Sequence, residues 1–137
     1  MFKKQSSNKP QNRIDSLIGA GTRIEGNVTF AGGLRVDGEI LGNVTAVSEQ
    51  ASTLVVSEQA RIDGEIRVSH LVVNGTINGP VHAAEFLELQ AKSRVVGDVQ
   101  YSRIEMHLGA IVEGRLVHSS NAVKPVELKI ASSKPAV

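Results

Sequence analysis

Val36-Asp37-Gly38-Glu39-Ile40-Leu41-Gly42-Asn43-Val44 contains the phrase apolar-x-Gly-x-apolar twice, with Ile40 shared between the copies. The phrase first occurs at Ile24-Glu25-Gly26-Asn27-Val28 and returns around Gly64, Gly75, Gly79, Gly97 and Gly114. Recurrence of this kind marks a repeat architecture. Each copy places branched aliphatics on one side of the chain, with a glycine between them where a side chain is unwelcome. The intervals are 37 residues from Gly38 to Gly75 and from Gly42 to Gly79, 18 from Gly79 to Gly97, and 17 from Gly97 to Gly114. A turn of 17 or 18 residues, with 37 as two turns plus a small insertion, satisfies all four intervals. Three strands of about five or six residues fill such a turn. The spacing therefore predicts an all-β chain, a parallel β-helix of about six three-sided turns stacked about 4.8 Å apart. One turn cannot bury its own apolar face, so neighbours must cover it.

Composition agrees. Aromatic residues make up only 3% of the 137-residue chain, which suits a narrow Val/Ile/Leu interior. Cysteine is absent, removing disulfides and thiolate metal sites. No apolar signal segment occupies Met1 to Pro10, and no run is long enough to span a bilayer. The net charge of +1 is segregated: +3 over residues 1–16, −4 over 17–118 and +2 over 119–137. These boundaries divide the chain into an N-terminal tail (1–16), a β-helix body (17–118) and a C-terminal tail (119–137). Both tails are polar and read as disordered. An acidic body argues against a nucleic-acid surface.

Within the body, Ile18, Ile24, Phe30 and Val36 recur every six residues. Ser48-Glu49-Gln50-Ala51 and Ser57-Glu58-Gln59-Ala60 repeat each other and suggest one turn with a different corner. The β pattern around Glu85–Gln90 favours a strand over a short helix there. Arg23/Glu25, Arg35/Asp37 and Arg61/Asp63 flank apolar residues on the outward side. Stacking would align them as charge ladders on a solvated face of small net value.

The ends of such a coil expose unpaired backbone and an open apolar cross-section unless capped. Neither flank carries a capping pattern. The reading that follows is self-association through the first and last turns, with Ile18, Ile24 and Phe30 near one contact and Met106, Leu108 and Leu116 near the other. At the extreme N-terminus, Met1-Phe2-Lys3-Lys4 sets two apolar side chains beside two cations. Inserting Phe2 into an interface gains roughly 1.5–3 kcal/mol, and each Lys near an anionic leaflet adds about 1 kcal/mol. One tail binds weakly, but many tails on a polymer bind well through avidity.

The phrases Leu17-Ile18-Gly19-Ala20-Gly21-Thr22-Arg23-Ile24-Glu25-Gly26, Gly33-Leu34-Arg35-Val36-Asp37-Gly38 and Glu113-Gly114-Arg115-Leu116 resemble the bactofilins. The resemblance covers about residues 14–118 and the Met-Phe-Lys-Lys start. It implies a bacterial cytoskeletal protein with a right-handed β-helix core that polymerises end to end, without nucleotide and without overall polarity. It also implies attachment to the cytoplasmic face of the cell membrane through Met1, Phe2, Lys3 and Lys4. Partners of the class are cell-wall enzymes and shape or polarity factors.

Two rivals remain on sequence grounds. One is a left-handed hexapeptide-repeat acyltransferase, whose six-residue rhythm fails here after Val36. The other is a monomeric adaptor that displays its tails. No P-loop and no nucleophile elbow occur, so no nucleotide, other cofactor or catalytic residue is assigned. The histidines are His70, His82, His107 and His118. His70/His107 and His82/His118 stand about two turns, or ~10 Å, apart on the coil, too far to share a metal in one column. All four read as surface or corner residues, and no metal site is assigned.

Overall fold

The computed structural model describes residues 13–47 and 51–119. These residues form fifteen strands, all paired in parallel, with no helix among them. They wind through six turns. The first contains β1 (Ser16–Ile18), β2 (Arg23–Glu25) and β3 (Val28–Phe30). The second contains β4 (Gly33–Val36), β5 (Glu39–Leu41) and β6 (Val44–Ala46). The third begins with β7 (Thr53–Val56) and β8 (Arg61–Asp63) and closes with the start of β9 (Ile66–Val73). The rest of β9 opens the fourth turn, followed by β10 (Thr76–Asn78) and the start of β11 (Val81–Leu89). The fifth runs through β12 (Arg94–Val96) into β13 (Val99–Met106), and the sixth ends with β14 (Ile111–Glu113) and β15 (Leu116–His118). Segment 85–90 is strand through Leu89, as the β pattern indicates.

Five inward columns form the interior. The simplest runs along the second side: Ile24, Ile40, Ile62, Ile77, Val95 and Val112 lie in direct register. Two more line the first side and two the third. Side chains alternate in and out along each strand, and the outward neighbours are mostly polar or charged, with Leu41, Val55, Val72 and Val96 among the apolar ones. Residues such as Ile40, Ile62, Ile66, Leu71, Leu87 and Leu89 are fully buried, each stabilising the stack by about 1.5–3 kcal/mol. Beta-branched side chains suit this pleated surface because their stiff rotamers repeat from turn to turn.

The repeated phrase marks two different corners. Gly26, Gly42, Gly64, Gly79, Gly97 and Gly114 stack between the second and third sides. Gly38 and Gly75 lie between the first and second. In the long glycine column, a Cβ on each member after Gly26 would collide with the carbonyl of the glycine one turn earlier. Beside this column, Asn27 Oδ1 accepts from Asn43 N and Asn43 Oδ1 from Glu65 N, both at 2.9 Å. At the other corner, four-residue turns closed by bonds such as Ala60 N to Ser57 O (3.0 Å) overhang the next turn. Gly38 and Gly75 fit beneath them, where a Cβ would strike two carbonyl oxygens.

Turn lengths are less even than the intervals suggested. Along the long glycine column the steps are 16, 22, 15, 18 and 17 residues, so the insertion falls in one step and the next is short. The inserted stretch includes 48–50, outside the described residues. The third corner also departs from three short strands per turn. From the third turn onward the chain bends without breaking the ladder, giving β9, β11 and β13 eight, nine and eight residues. A register shift between Ala83 and Phe86 absorbs the bend, and Ser102 Oγ donates to Ala84 O at 2.6 Å across it. The first and third sides thus join in a nine-stranded sheet facing the six-stranded second side.

Gly75→Ala is expected to cost about 1–3 kcal/mol through overpacking against Ser57 and Ala60. Gly19→Ala, where nothing lies within 4 Å of the added methyl, is expected to change stability by less than about 0.5 kcal/mol. Paired urea unfolding curves check the contrast.

Candidate functional site

An interior strand pairs with the turn above and the turn below. Among the described residues, β1, β2 and β3 pair on one side only, with β4, β5 and β6. At the other extremity β14 and β15 pair only with β12 and β13, and the last residues of β13 only with β11. Each end is an open edge on three sides, a template for further pairing.

The columns show the same break in packing. Val36, Val56, Val73 and Leu89 are 0% exposed, whereas Met106 in the same column is 46% exposed. Val44, Ile66 and Val99 are likewise 0% exposed, and Leu116 below them is 44% exposed. The positions are equivalent, and among the described residues no further turn covers Met106 and Leu116. At the opposite end Ile18, Ile24 and Val28 are partly buried against the core.

Of the six contact residues expected from sequence, Ile18, Ile24, Met106 and Leu116 face inward in the terminal turns. Phe30 also faces inward, but it packs over the small Ala46 in register and is already buried, so it offers little surface. Leu108 belongs to the last turn yet points away from the interior, at the tip of the corner closed by Ala110 N to His107 O (3.1 Å), and is 96% exposed. The sequence reading missed Val28, Ile104 and Val112, which complete the two cross-sections. Val28 and Val112 are apolar positions of the glycine phrase itself, whereas Ile104 is identified by its register with Leu87. Met1, Phe2, Lys3 and Lys4 lie outside the described residues.

Carboxylates fasten each terminal turn to its neighbour. Asp15 accepts from Gly33 N at 3.0 Å, which holds its pKa below the ordinary value of 3.8, helped by Arg13. Asp98 accepts from Arg115 N at 3.1 Å and from the Arg115 guanidinium at 3.3 Å, and its pKa is lowered by these bonds. Two similar links lie between: Asp37 is lowered by a bond from Ser57 and by Arg35, and Asp63 by the Asn78 amide at 2.8 Å and by Arg61. The Arg/acid pairs at i, i+2 run along single strands, as in Arg35 Nε–Asp37 Oδ1 at 3.1 Å. The expected ladder between turns is confined to pairs such as Arg94–Glu113 at 3.1 Å. All are solvent-facing, so screening by water keeps the contribution of each small.

The histidines part from expectation in two ways. His70 is buried at the bend of β9, and neither ring nitrogen has a hydrogen-bond partner. The members of each sequence pair also sit in different columns: His70 is in register with Phe86, while His82 is in register with Gln100 and His118 with Tyr101. His82 borders an open groove of about 250 Å³ with Ser52, Arg67 and Ser69, and burial and Arg67 lower its pKa. Among the described residues no helix is long and apolar enough to cross a membrane.

A parallel β-solenoid with open apolar cross-sections at both described ends defines the class of structural repeat protein. Comparison with known proteins supplies the family. The family model described as bactofilin, polymer-forming cytoskeletal, matches residues 16–117, and the chain belongs to that family. It is 28% identical to bactofilin BacP of Myxococcus xanthus over 123 residues, 90% of this chain and 48% of BacP, so it spans about half of that relative's length. It is 24% identical to bactofilin BacO of the same organism over 102 residues, 74% of this chain and 78% of BacO. The fold matches the solid-state NMR structure of the cytoskeletal bactofilin BacA with a TM-score of 0.66 and 29% identity, covering 76% of this chain and 95% of that one. Membership supports a self-assembling cytoskeletal scaffold, and the names within the family are those of structural proteins.

Acid is expected to loosen the terminal turns first. The four aspartates have depressed folded pKa values, so their contribution is complete above the unfolded value near 3.8 and is lost as pH falls through the folded values. Amide exchange measured between about pH 5 and pH 2 should show protection at Gly33 and Arg115 falling relative to interior amides such as Leu71, after correction for intrinsic rates.

Proposed function

We propose that this chain polymerises by stacking its terminal turns on those of further copies, without nucleotide, and that Met1, Phe2, Lys3 and Lys4 attach the polymer to the inner face of the cell membrane. The observation that carries the first part is the exposure of Met106 and Leu116 beneath columns otherwise closed to solvent. An added coil restores both the missing backbone partners and the missing apolar contact. Like ends meet like in self-complementary joints, giving filaments without overall polarity. The polymer then concentrates cell-wall enzymes or shape and polarity factors along its length. The membrane part rests on the adjacent apolar and cationic side chains at positions 1–4 and on multiplication of weak tails by the polymer.

Negative-stain microscopy of the nucleotide-free protein is expected to show long filaments, and Leu116→Arg to abolish them. Persistence of long filaments in that variant overturns the placement of the contact. Discrete trimers from the unaltered chain point instead to an acyltransferase-like assembly, and single small particles to a monomeric adaptor.

For the membrane, Phe2→Glu is expected to weaken co-sedimentation with anionic liposomes by about tenfold or more per tail. Unchanged pelleting rejects the assigned anchor.

A further inference from the structure

On the outer surface of the first side, β11 and β13 pair so that Glu88 lies directly opposite Glu105. Like charges at paired positions of neighbouring strands repel. The same outward column carries Arg35, Val55 and Val72 in earlier turns, so this clash of sign is local to the last two turns. One residue beyond β13, His107 places Nε2 3.1 Å from Glu88 Oε2 and 3.1 Å from Glu105 Oε2. The three donor atoms all lie within 4.8 Å of one another. A tetrahedral Zn²⁺ with ligands at about 2.0–2.2 Å needs donor atoms about 3.3–3.6 Å apart, so small side-chain adjustments seat one. Gln90 Nε2 donates to Glu88 Oε2 at 3.1 Å, the type of outer contact that orients a ligating carboxylate.

We propose that Glu88, Glu105 and His107 form a site for one divalent transition ion of the Zn²⁺ class. With a neutral imidazole the three ligands carry a charge of −2, which the ion neutralises. Imidazole favours this class over Mg²⁺ or Ca²⁺, which prefer larger all-oxygen shells. Three protein ligands leave a fourth position facing solvent. The ligands come from two stacked turns and flank Met106, so the ion ties the last turn to the one before it. The remaining histidines lie elsewhere: His70 is buried, His82 borders the groove on the third side, and His118 packs on Tyr101. The proposal concerns a single chain and does not depend on filament formation.

Titrating the tag-free full chain with Zn²⁺ by calorimetry, and with Co²⁺ by visible absorption, tests it. The expected result is one equivalent bound, with ligand-field bands from Co²⁺. Glu105→Gln and His107→Gln should each weaken binding by at least about tenfold, and Gln90→Ala by about tenfold. Circular dichroism of these surface variants should match the unaltered chain. Equal binding by the unaltered chain and a Glu105→Gln/His107→Gln double variant overturns the proposal. So does the absence of saturable binding, which would leave His107 only a contact of the two carboxylates. Displacement of Zn²⁺ by equimolar Mg²⁺ also overturns it, leaving a nonselective acidic cluster.

Discussion

The structure depends on the close stacking of one backbone turn on the next. Main-chain N–H and C=O groups of each turn bond to the turns above and below, as when Gly42 N donates to Asp63 O and Gly64 N to Asn78 O, both at 2.9 Å. That spacing leaves no room for a side chain at the tight corners, hence the column from Gly26 to Gly114. It also aligns like residues, so isoleucine lies on isoleucine along the second side from Ile24 to Ile77. Interior shape and corner chemistry both follow from that pitch.

The same regularity makes the two ends unavoidable. A closed barrel has no edge, but a coil must stop, and its last layer is built like the others without a neighbour. Met106 and Leu116 are ordinary core residues in that layer, apolar for the same reason as Leu89 and Val99. Such open ends are a liability for a monomer, and the proposed stacking turns them into the joining surface.

Much of this was legible in the sequence because glycine at a corner and a branched aliphatic beside it report local geometry directly. Turn number and the strand running from Glu85 through Leu89 followed from pattern alone, while the uneven turn lengths did not. Other features depend on which residues become neighbours, which a one-dimensional spacing does not specify. The glycine phrase serves two corners with different neighbours, so Gly38 and Gly42 look alike in sequence but avoid different carbonyls. Phe30 looked available because its cover, Ala46, is small and lies 16 residues on. His70 looked like a surface residue because nothing local reveals the bend that buries it. The His107 cluster was overlooked because histidines were compared with histidines, while its ligands are glutamates from an adjacent turn and the same strand.

Six turns give each subunit an axial length of about 29 Å. The described chain begins at Arg13 beside the first turn, and residues 1–16 carry a charge of +3. In a polymer whose like ends meet, the Arg13 positions come in pairs at every second joint, and successive pairs stand about 58 Å apart, roughly seven times the Debye length at physiological salt. Each pair is electrically screened from the next. Such a polymer would present its cationic segments as paired contacts whose number grows in proportion to its length, with no repulsion between pairs limiting how long it becomes.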